Sequence, residues 1–119
     1  MSNQKATVER YFEGFRRSDH AMILECLTED VAWDLPGFRH LKGKQAFDGE
    51  IENPDFTGSP TLTIDRMLED GPVVVAIGEG GGTRKDGVSF RFAFCDVFTF
   101  EGPLIRRVES YLAPLGGSA

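Results

Sequence analysis

The sequence predicts one α+β domain in which a curved antiparallel β-sheet folds over helices from the N-terminal part of the chain. Apolar residues recur at helical spacing in the first half, whereas alternation with a period of two and tight turns fill the second half. The length of 119 residues, with 40% hydrophobic and 27% charged residues, is that of a single ordinary globular domain. We therefore expect the element order α-α-β-α-β-β-β-β, with no linker or internal repeat.

The first three predicted elements are two helices and a short strand. The first helix carries one apolar stripe at helical spacing, formed by Val8, Tyr11, Phe12 and Phe15. A second helix over 21–27, apolar nearly all round, begins after the N-capping Ser-Asp pair at 18–19. Residues 28–30 end this helix, and a strand over 31–35 follows, ended by the Pro-Gly turn at 36–37.

The rest of the chain predicts a weaker helix and four strands joined by tight turns. The helix covers 44–51 and directs Phe47 and Ile51 inward, although Gly49 lowers its helix propensity. The four strands are expected at 61–69, 73–77, 88–100 and 104–112. The first of them places three apolar residues on one face: Leu62, Ile64 and Leu68. Residues 113–119 are expected to form a flexible tail.

Charge balance and cysteine content exclude several classes of function. The net charge is -6 and no block is rich in Lys and Arg, so we expect no nucleic-acid partner. No apolar stretch approaches the roughly 20 residues that cross a bilayer, and the N-terminus lacks a signal-peptide pattern, so we expect a cytoplasmic protein with no membrane partner. Cys26 and Cys95 lie in apolar runs, as free thiols do. No His, Cys, Asp and Glu set has ligand spacing, so neither a metal nor another cofactor is expected.

Asp96, in the middle of the strand over 88–100, is the most informative residue. It shares one face of the sheet with five phenylalanines: Phe90, Phe92, Phe94, Phe98 and Phe100. A carboxylate there loses its hydration, so burial raises its pKa and favours the protonated form. A neutral carboxylic acid in an apolar pocket donates a hydrogen bond and can stabilise an oxyanion. The alternatives are that Asp96 binds a backbone group, or that a β-bulge exposes it.

Two further residues are candidates for chemistry. Tyr11 lies in the apolar stripe of the first helix, so we expect its hydroxyl to point into the interior and to need a partner there. Glu79 shares strand parity with Val75 and Ile77, which makes it a candidate acid for the same cavity. The alternative for Glu79 is a strand end that opens into solvent, because three glycines follow it at once.

Three segments of the chain resemble a known superfamily. They are RYFEGFRRSDHAMILECLTEDVAWDLPG, from Arg10 to Gly37; LKGKQAF, which contains Gly43; and CDVFTFEGPLIRRVESYL, from Cys95 to Leu112. In order and register they are similar to the helix-helix-strand start, the turn into the third helix and the closing hairpin of the nuclear transport factor 2-like superfamily, in its SnoaL-like and ketosteroid isomerase-related branch. The resemblance spans most of the chain. It implies a cone-shaped sheet wrapped around the N-terminal helices, with an apolar pocket inside.

The resemblance also implies roles for single residues. Tyr11 stands where the steroid isomerases keep an oxyanion-hole tyrosine, and Asp96 stands where they keep a protonated aspartate. The general base of those enzymes is an aspartate just before the proline of the first strand. This chain has Leu35 there, so steroid isomerase activity is not expected. Asp34 is one residue away, but strand parity turns it to the opposite face unless a bulge re-aims it.

A second branch of the superfamily bears on Glu79. This residue lies near an acidic residue of the limonene epoxide hydrolases, but Ile77 and Ser110 stand where those enzymes have an arginine and a second acid. The hydrolase triad is therefore absent. The resemblance further implies a homodimer, paired through residues on the outer face of the sheet such as Arg91, Ala93, Val97 and Thr99.

We expect a pocket for a small apolar ligand, with His40 on a loop over its mouth. The residues expected to line it are Phe15, Trp33, Leu35, His40, Phe47, Ile77, Phe92 and Phe94, and the resemblance adds Val108, Ser110 and Leu112 on the far side. The first hypothesis is an isomerase or cyclase acting on a small hydrophobic carbonyl compound, in which Tyr11 and Asp96 donate to the carbonyl oxygen and Glu79 or Asp34 moves the proton. The alternative is a non-catalytic ligand-binding or dimerisation module of the same fold.

Overall fold

The computed structural model of the chain describes residues 2–52 and 56–115. Its elements are α1 (Asn3–Arg17), α2 (His20–Leu24), β1 (Leu27–Leu35), β2 (Arg39–Lys42), α3 (Lys44–Glu50), β3 (Phe56–Asp70), β4 (Val73–Arg84), β5 (Ser89–Glu101) and β6 (Leu104–Pro114). The strands form one sheet in the order β2-β1-β6-β5-β4-β3. Neighbouring strands are antiparallel except for β1 and β6, which run parallel. The predicted α+β class, with a curved sheet and N-terminal helices, is confirmed.

Helix α1 packs its apolar stripe on the inner face of the sheet, as predicted. It begins after Ser2, whose hydroxyl accepts a hydrogen bond from the Lys5 N–H, and it ends at Ser18, which adopts the left-handed conformation with φ 52°. Its most buried side chains are Val8, Tyr11 and Phe12. Gly14 allows α1 and α2 to approach each other closely, because an added Cβ would lie 2.5 Å from Ile23 Cγ1.

The segment from α2 to β1 differs from the prediction. Asp19 caps α2 as expected, but the helix ends at Leu24 and β1 already begins at Leu27. Leu27 is buried and pairs with Ile105 of β6, so it belongs to the sheet. The register between β1 and β6 shifts before Ala32, and this irregularity breaks the alternation that would have marked the start of the strand in the sequence.

The sequence did not predict strand β2. This short strand lies at the edge of the sheet and pairs antiparallel with the end of β1, with His40 opposite Asp34 and Leu41 opposite Trp33. Its side chains are exposed except for Leu41, so no buried face produces an alternating pattern. The expectation that His40 lies on a loop is therefore wrong, because backbone pairing with β1 makes it part of an edge strand.

Strands β3 and β4 are longer than predicted, and β3 contains an irregularity. Its register with β4 shifts between Ile64 and Arg66, which reverses the faces of the residues that follow. Met67 therefore packs against the core. Leu68, expected on the same face as Ile64, is exposed instead.

The glycines of β4 continue the strand rather than end it. Gly80 pairs with Phe92 of β5, and the register runs on to the end of β4. A Cβ added at Gly80 would lie 2.6 Å from the Phe92 ring, and one added at Gly78 would lie 2.8 Å from the Phe94 ring. Glycine is therefore needed where the large rings of β5 cross the inner face. The strand end considered for Glu79 does not occur.

The last strand reaches further than predicted. Strand β6 extends to Pro114, so residues 113 and 114 belong to the sheet instead of a tail. The remainder of the expected tail, residues 116–119, lies outside the described residues.

The core lies between the inner face of the sheet and the helices, and Tyr11, Phe47 and Phe98 are its largest fully buried side chains. Cys26 and Cys95 are free thiols, as expected. Within residues 2–52 and 56–115, no helix combines the length and apolar character needed to cross a membrane.

Candidate functional site

Asp96 lies near the centre of β5 and points into the core between Phe94 and Phe98. It is opposite Ala76 on β4 and Ser110 on β6, and both registers are continuous at this point. No bulge turns the side chain outward, and it is only 7% exposed. The prediction of a carboxyl group buried among phenylalanines is confirmed.

The surroundings of Asp96 favour its protonated form. Within the described residues its Oδ1 atom is buried and has no hydrogen-bond partner. Burial raises the pKa of Asp96 to about 7, and a hydrogen bond donated by the Ser110 hydroxyl opposes this rise. A large fraction of the molecules therefore carries a neutral carboxylic acid at neutral pH, which donates a hydrogen bond where a carboxylate only accepts.

Tyr11 reaches the same interior from α1. Its ring packs edge-on against Phe98, with ring centroids 5.1 Å apart. It is tilted against Phe15, with centroids 5.0 Å apart. Burial raises the pKa of Tyr11 well above its ordinary value, and the negative charges of Asp96 and then Cys26 raise it further. The Tyr11 hydroxyl therefore stays neutral and able to donate a hydrogen bond.

Trp33 enters the interior from β1 and contacts Ser110, which lies opposite Asp96 on the neighbouring strand. The indole Nε1 donates a hydrogen bond to Ser110 Oγ at 3.0 Å, and the indole ring stacks on Phe47 with centroids 4.4 Å apart. Trp33 and Ser110 were predicted only to line the pocket. Their contact depends on the parallel pairing of β1 with β6, which periodicity within one strand does not predict. A usable signal was that a buried indole N–H and a buried hydroxyl both need partners.

The structure brings together most of the residues expected to line the pocket. Those in the interior are Phe15, Trp33, Phe47, Phe94, Val108 and Ser110, with Leu35 and Phe92 packed at its edge. Leu112 is opposite Phe94 on β6 but is half-exposed. Aromatic rings fill the space around Tyr11. Three surface grooves, with volumes of about 640, 450 and 420 Å³, are lined by neither Tyr11 nor Asp96.

Asp34 and His40 lie on the opposite face of the sheet from Asp96. Asp34 contacts the His40 Nδ1 atom and accepts a hydrogen bond from Arg107 Nε at 2.9 Å. The contact with His40, and then the one with Arg107, lowers the pKa of Asp34. Asp34 is therefore an ionised member of an outer ion-pair cluster. This cluster borders the 640 Å³ groove, together with Glu109 and Tyr111.

Glu79 and Ile77 are also turned away from the core, which corrects their expected placement. The buried side chains of β4 are Val74 and Ala76, so residues of the opposite parity face outward. The Glu79 carboxylate is exposed and pairs with Arg91 of β5 at 2.6 Å. Strand parity was read correctly in the sequence, but the wrong face of this doubly apolar strand was assigned to the interior.

Of the candidate residues in the described part of the chain, Tyr11 and Asp96 lie in the interior, where burial favours their protonated forms, and Asp34 and Glu79 lie outside it. Asp96 and Ser110 are the buried polar side chains of the described part of the chain. In the same part of the chain, no group of three or more His, Cys, Asp and Glu side chains is arranged to hold a metal ion. Two donors in an apolar interior can stabilise negative charge that develops on a ligand oxygen.

Comparisons with solved structures identify the same fold in other proteins. A nuclear transport factor 2-like protein of unknown function from Burkholderia pseudomallei is 26% identical, with a TM-score of 0.88 over 95% of this chain and 92% of that chain. An epoxide hydrolase from M. tuberculosis, similar to the limonene epoxide hydrolases, is 17% identical, with a TM-score of 0.82 over 93% of this chain and 83% of that chain. A candidate SnoaL-like polyketide cyclase from Shewanella putrefaciens is 11% identical, with a TM-score of 0.82 over 94% of this chain and 80% of that chain.

Comparison with sequence families gives a more direct assignment. No curated protein matches the chain significantly. The family model described as a SnoaL-like domain matches residues 8–108, which run from the buried face of α1 to the middle of β6. The matched region includes Tyr11 and Asp96. The chain therefore belongs to the SnoaL-like domain family, within the nuclear transport factor 2-like fold.

Proposed function

We propose that Tyr11 and Asp96 form an oxyanion site for a small, largely apolar carbonyl compound, and that the protein stabilises its enolate in an isomerisation or cyclisation. The observation that carries this proposal is the buried Oδ1 atom of Asp96, which has no partner among the described residues. Most buried polar atoms in native proteins are hydrogen-bonded, so such an atom indicates a missing partner. A ligand oxygen supplies that partner.

The apolar surroundings of Tyr11 and Asp96 determine how strongly the two groups can stabilise negative charge. When a carbonyl compound loses a proton next to its carbonyl group, negative charge develops on the oxygen. Neutral donors that already point at this oxygen in a water-poor site stabilise the charge without reorganising. Burial raises the pKa of Tyr11 and of Asp96, which favours the protonated forms that such donors need. Because aromatic rings fill the space around Tyr11, a ligand would enter only if the rings of Phe15 and Phe47 moved apart, and contact with these rings favours a flat apolar molecule.

The proposal assigns the electrophilic half of the reaction and leaves the base unassigned. Leu35 occupies the position at which the resemblance would place an aspartate base. Asp34 and Glu79 are held in ion pairs on the other face of the sheet. A missing general base typically costs about 10²- to 10⁴-fold in rate. Epoxide hydrolysis is a poorer candidate, because Ile77 and Glu79 face outward and Ser110 replaces an acid.

A second candidate is a binding module without turnover, favoured because the two candidate bases, Asp34 and Glu79, both lie in ion pairs on the outer face. In this alternative the site holds a small apolar ligand that carries an acidic oxygen. Two copies of the chain would pair through the outer face of the sheet, where Val75, Ile77 and Val97 are only half-buried and Leu68 is exposed. Fold neighbours do not separate the two candidates, since this fold supports several activities.

Binding of phenols and naphthols tests the oxyanion site directly, because a phenolate resembles an enolate oxygen on an apolar ring. We expect the wild-type protein to bind 2-naphthol saturably, and Tyr11→Phe and Asp96→Leu to lose about tenfold in affinity each. Asp34→Asn is the matched control, since it removes a carboxylate from the outer face and should bind like the wild type. Circular dichroism verifies that each variant is folded. No binding by folded wild-type protein would contradict the proposal.

A further inference from the structure

One of the three surface grooves lies on the inner face of the sheet, beyond the ends of α1 and α3. This groove has a volume of about 450 Å³ and is lined by the ends of both helices, the start of β3, the end of β4 and Phe90 of β5; we call it the Phe90 groove. Phe90 shares its face of β5 with the buried Phe94 and with Asp96. The other two grooves border the outer ion-pair cluster. Of the three, the Phe90 groove is therefore the one on the same side of the sheet as Asp96.

Aromatic rings and glycine backbone form much of the Phe90 groove. The rings of Phe56 and Phe90 are tilted against each other with centroids 4.8 Å apart, and neither residue is fully buried. Gly82 is opposite Phe90 on β4, and a Cβ added there would lie 3.1 Å from the Phe90 ring. The ring therefore lies close over backbone that carries no side chain. A wall made of ring faces and glycine backbone offers flat apolar contact to a ligand.

A row of rings continues from the Phe90 groove into the core. Phe92 stacks on Phe90 with centroids 6.0 Å apart, and Phe94 follows at 6.4 Å from Phe92. Phe94 in turn stacks on Phe12 of α1, with centroids 5.3 Å apart. Phe90 and Asp96 are six residues apart on β5, which corresponds to roughly 20 Å along the strand. A ligand of one or two rings can therefore bind in the Phe90 groove without reaching Asp96.

Helix α1 covers the inner part of this row and leaves the groove open. The Arg16 Nε atom, near the end of α1, donates a hydrogen bond to the Leu62 carbonyl oxygen at 2.8 Å. Leu62 lies in register with Gly80 of β4 and, through it, with Phe92 of β5. The helix is therefore anchored on the sheet at the level of Phe92, one inward-facing position before Phe90.

We propose that the Phe90 groove is a binding site for a flat aromatic ring, which packs against Phe56 and Phe90. Its volume is within the range of small-molecule sites. Thr57, Thr83 and Lys85 also border it, and side chains of these types can bind a polar substituent on the ring. The ligand class is therefore a small aryl compound with a polar group. This site needs neither Tyr11 nor Asp96, so it does not depend on the proposed oxyanion site.

Binding of naphthalene tests this inference, because naphthalene presents ring faces and has no oxygen for an oxyanion site. We expect saturable shifts of the ¹H–¹⁵N amide signals of Gly82, Thr83 and Phe90 in the wild type. Phe90→Leu keeps apolar volume but deletes the ring face, so its affinity for naphthalene should fall about tenfold, and Phe56→Leu should act in the same direction. Circular dichroism verifies that the variants are folded.

Phe38→Leu is the matched control, because it deletes an exposed ring that borders the 640 Å³ groove on the outer face. This variant should bind naphthalene like the wild type. Shifts that are absent from the amides of the Phe90 groove, or that occur at Phe38 instead, would overturn the inference. Equal affinities of Phe90→Leu and Phe38→Leu would also overturn it.

Binding of 2-naphthol and naphthalene to further variants separates this site from the proposed function. Asp96→Leu should bind naphthalene like the wild type. If naphthalene binds in the Phe90 groove while Tyr11→Phe and Asp96→Leu leave the affinity for 2-naphthol unchanged, the groove site is supported and the proposed oxyanion site fails. If 2-naphthol binding requires Tyr11 and Asp96 but naphthalene does not shift the amides of the Phe90 groove, the groove site is wrong and the oxyanion site remains.

Discussion

Asp96 and Ser110 lie directly opposite each other on β5 and β6, and both point into the core. The Ser110 hydroxyl partly opposes the rise that burial causes in the pKa of Asp96, and within the described residues the Asp96 Oδ1 atom has no hydrogen-bond partner. A partly satisfied carboxyl group among aromatic rings destabilises a fold, because its charged form has lost its hydration. The cost in stability therefore depends on whether Asp96 is ionised, and so on pH.

Asp96→Asn should stabilise the protein increasingly as the pH rises from about 4 to about 7. In the wild type the folded pKa of about 7 lies above the ordinary value of 3.8, so the unfolded state releases its proton first. Below about pH 4 Asp96 is protonated in both states and does not lower the free energy of unfolding. As the pH rises to 7, the unfolded state gains stability by ionising, so the free energy of unfolding falls. We expect the difference in free energy of unfolding between variant and wild type to grow by up to about 4 kcal/mol over this window, measured by urea denaturation.

The control for this prediction is Asp34→Asn, for which the opposite sign applies. The contacts with His40 and Arg107 lower the pKa of Asp34, so its contribution is present at neutral pH and is lost as the pH falls through the acid range. A difference between wild type and Asp96→Asn that stays constant from pH 4 to 8 would contradict a raised pKa at Asp96.

Gly78→Ala should be strongly destabilising, whereas Gly49→Ala should not. A Cβ at Gly78 would overlap the Thr63 carbonyl oxygen and lie 2.8 Å from the Phe94 ring, so backbone or core would have to move. We expect a loss of about 1–3 kcal/mol or more in the free energy of unfolding. Gly49 lies in α3 with open space around its Cβ position, so alanine there should add about 0.5–1 kcal/mol through helix propensity. Equal melting temperatures for the two variants would argue against the tight packing of β4 on β3 and β5.

His20→Gln should lower the free energy of unfolding in mildly acidic solution and leave it unchanged in alkaline solution. The His20 ring bridges Asp48, 2.6 Å from Nδ1, and Glu52, 3.3 Å from Nε2. The hydrogen bond with Asp48, and more weakly the one with Glu52, raises the pKa of His20. The protonated ring therefore stabilises the fold fully below its unfolded pKa, and this contribution disappears as the pH rises through the folded value. For a partly exposed pair we expect about 0.2–1 kcal/mol at pH 6 and none at pH 9, measured by chemical denaturation.

Arg107→Ala tests whether the outer ion-pair cluster is independent of the interior site. The guanidinium loses its hydrogen bonds to Asp34, which are largely solvent-accessible, so the cost in stability should be about 0–1 kcal/mol. The affinity for 2-naphthol should stay at the wild-type value. A tenfold loss of affinity in the folded variant would instead connect this cluster to the binding site.

Local patterns predicted the parts of the fold in which one face of an element is buried. The apolar stripe of α1 and the alternation in β5 located Tyr11 and Asp96 on the correct faces. Both patterns are short-range, and each is set by the periodicity of a single element.

The features that were not predicted depend on pairing between strands that are distant in sequence. Strand β2 has no apolar face, and the two faces of β4 are both apolar enough to be confused. The register shift in β3 turns the Leu68 side chain to the outer face of the sheet. The parallel pairing of β1 with β6 brings Trp33 into contact with Ser110. Periodicity within one strand contains no information about which strand lies beside it or where the register shifts.

The most direct test of the central claim is a titration of Asp96 in the wild-type protein between pH 3 and 9, monitored by the ¹³C NMR signal of its carboxyl carbon. The proposed oxyanion site requires a neutral donor, so the midpoint should lie near pH 7 and rise further in the presence of saturating 2-naphthol, which stabilises the protonated form by accepting its hydrogen bond. A midpoint near 4, unchanged by naphthol, would make Asp96 an ordinary ionised carboxylate and would contradict its role as an oxyanion donor.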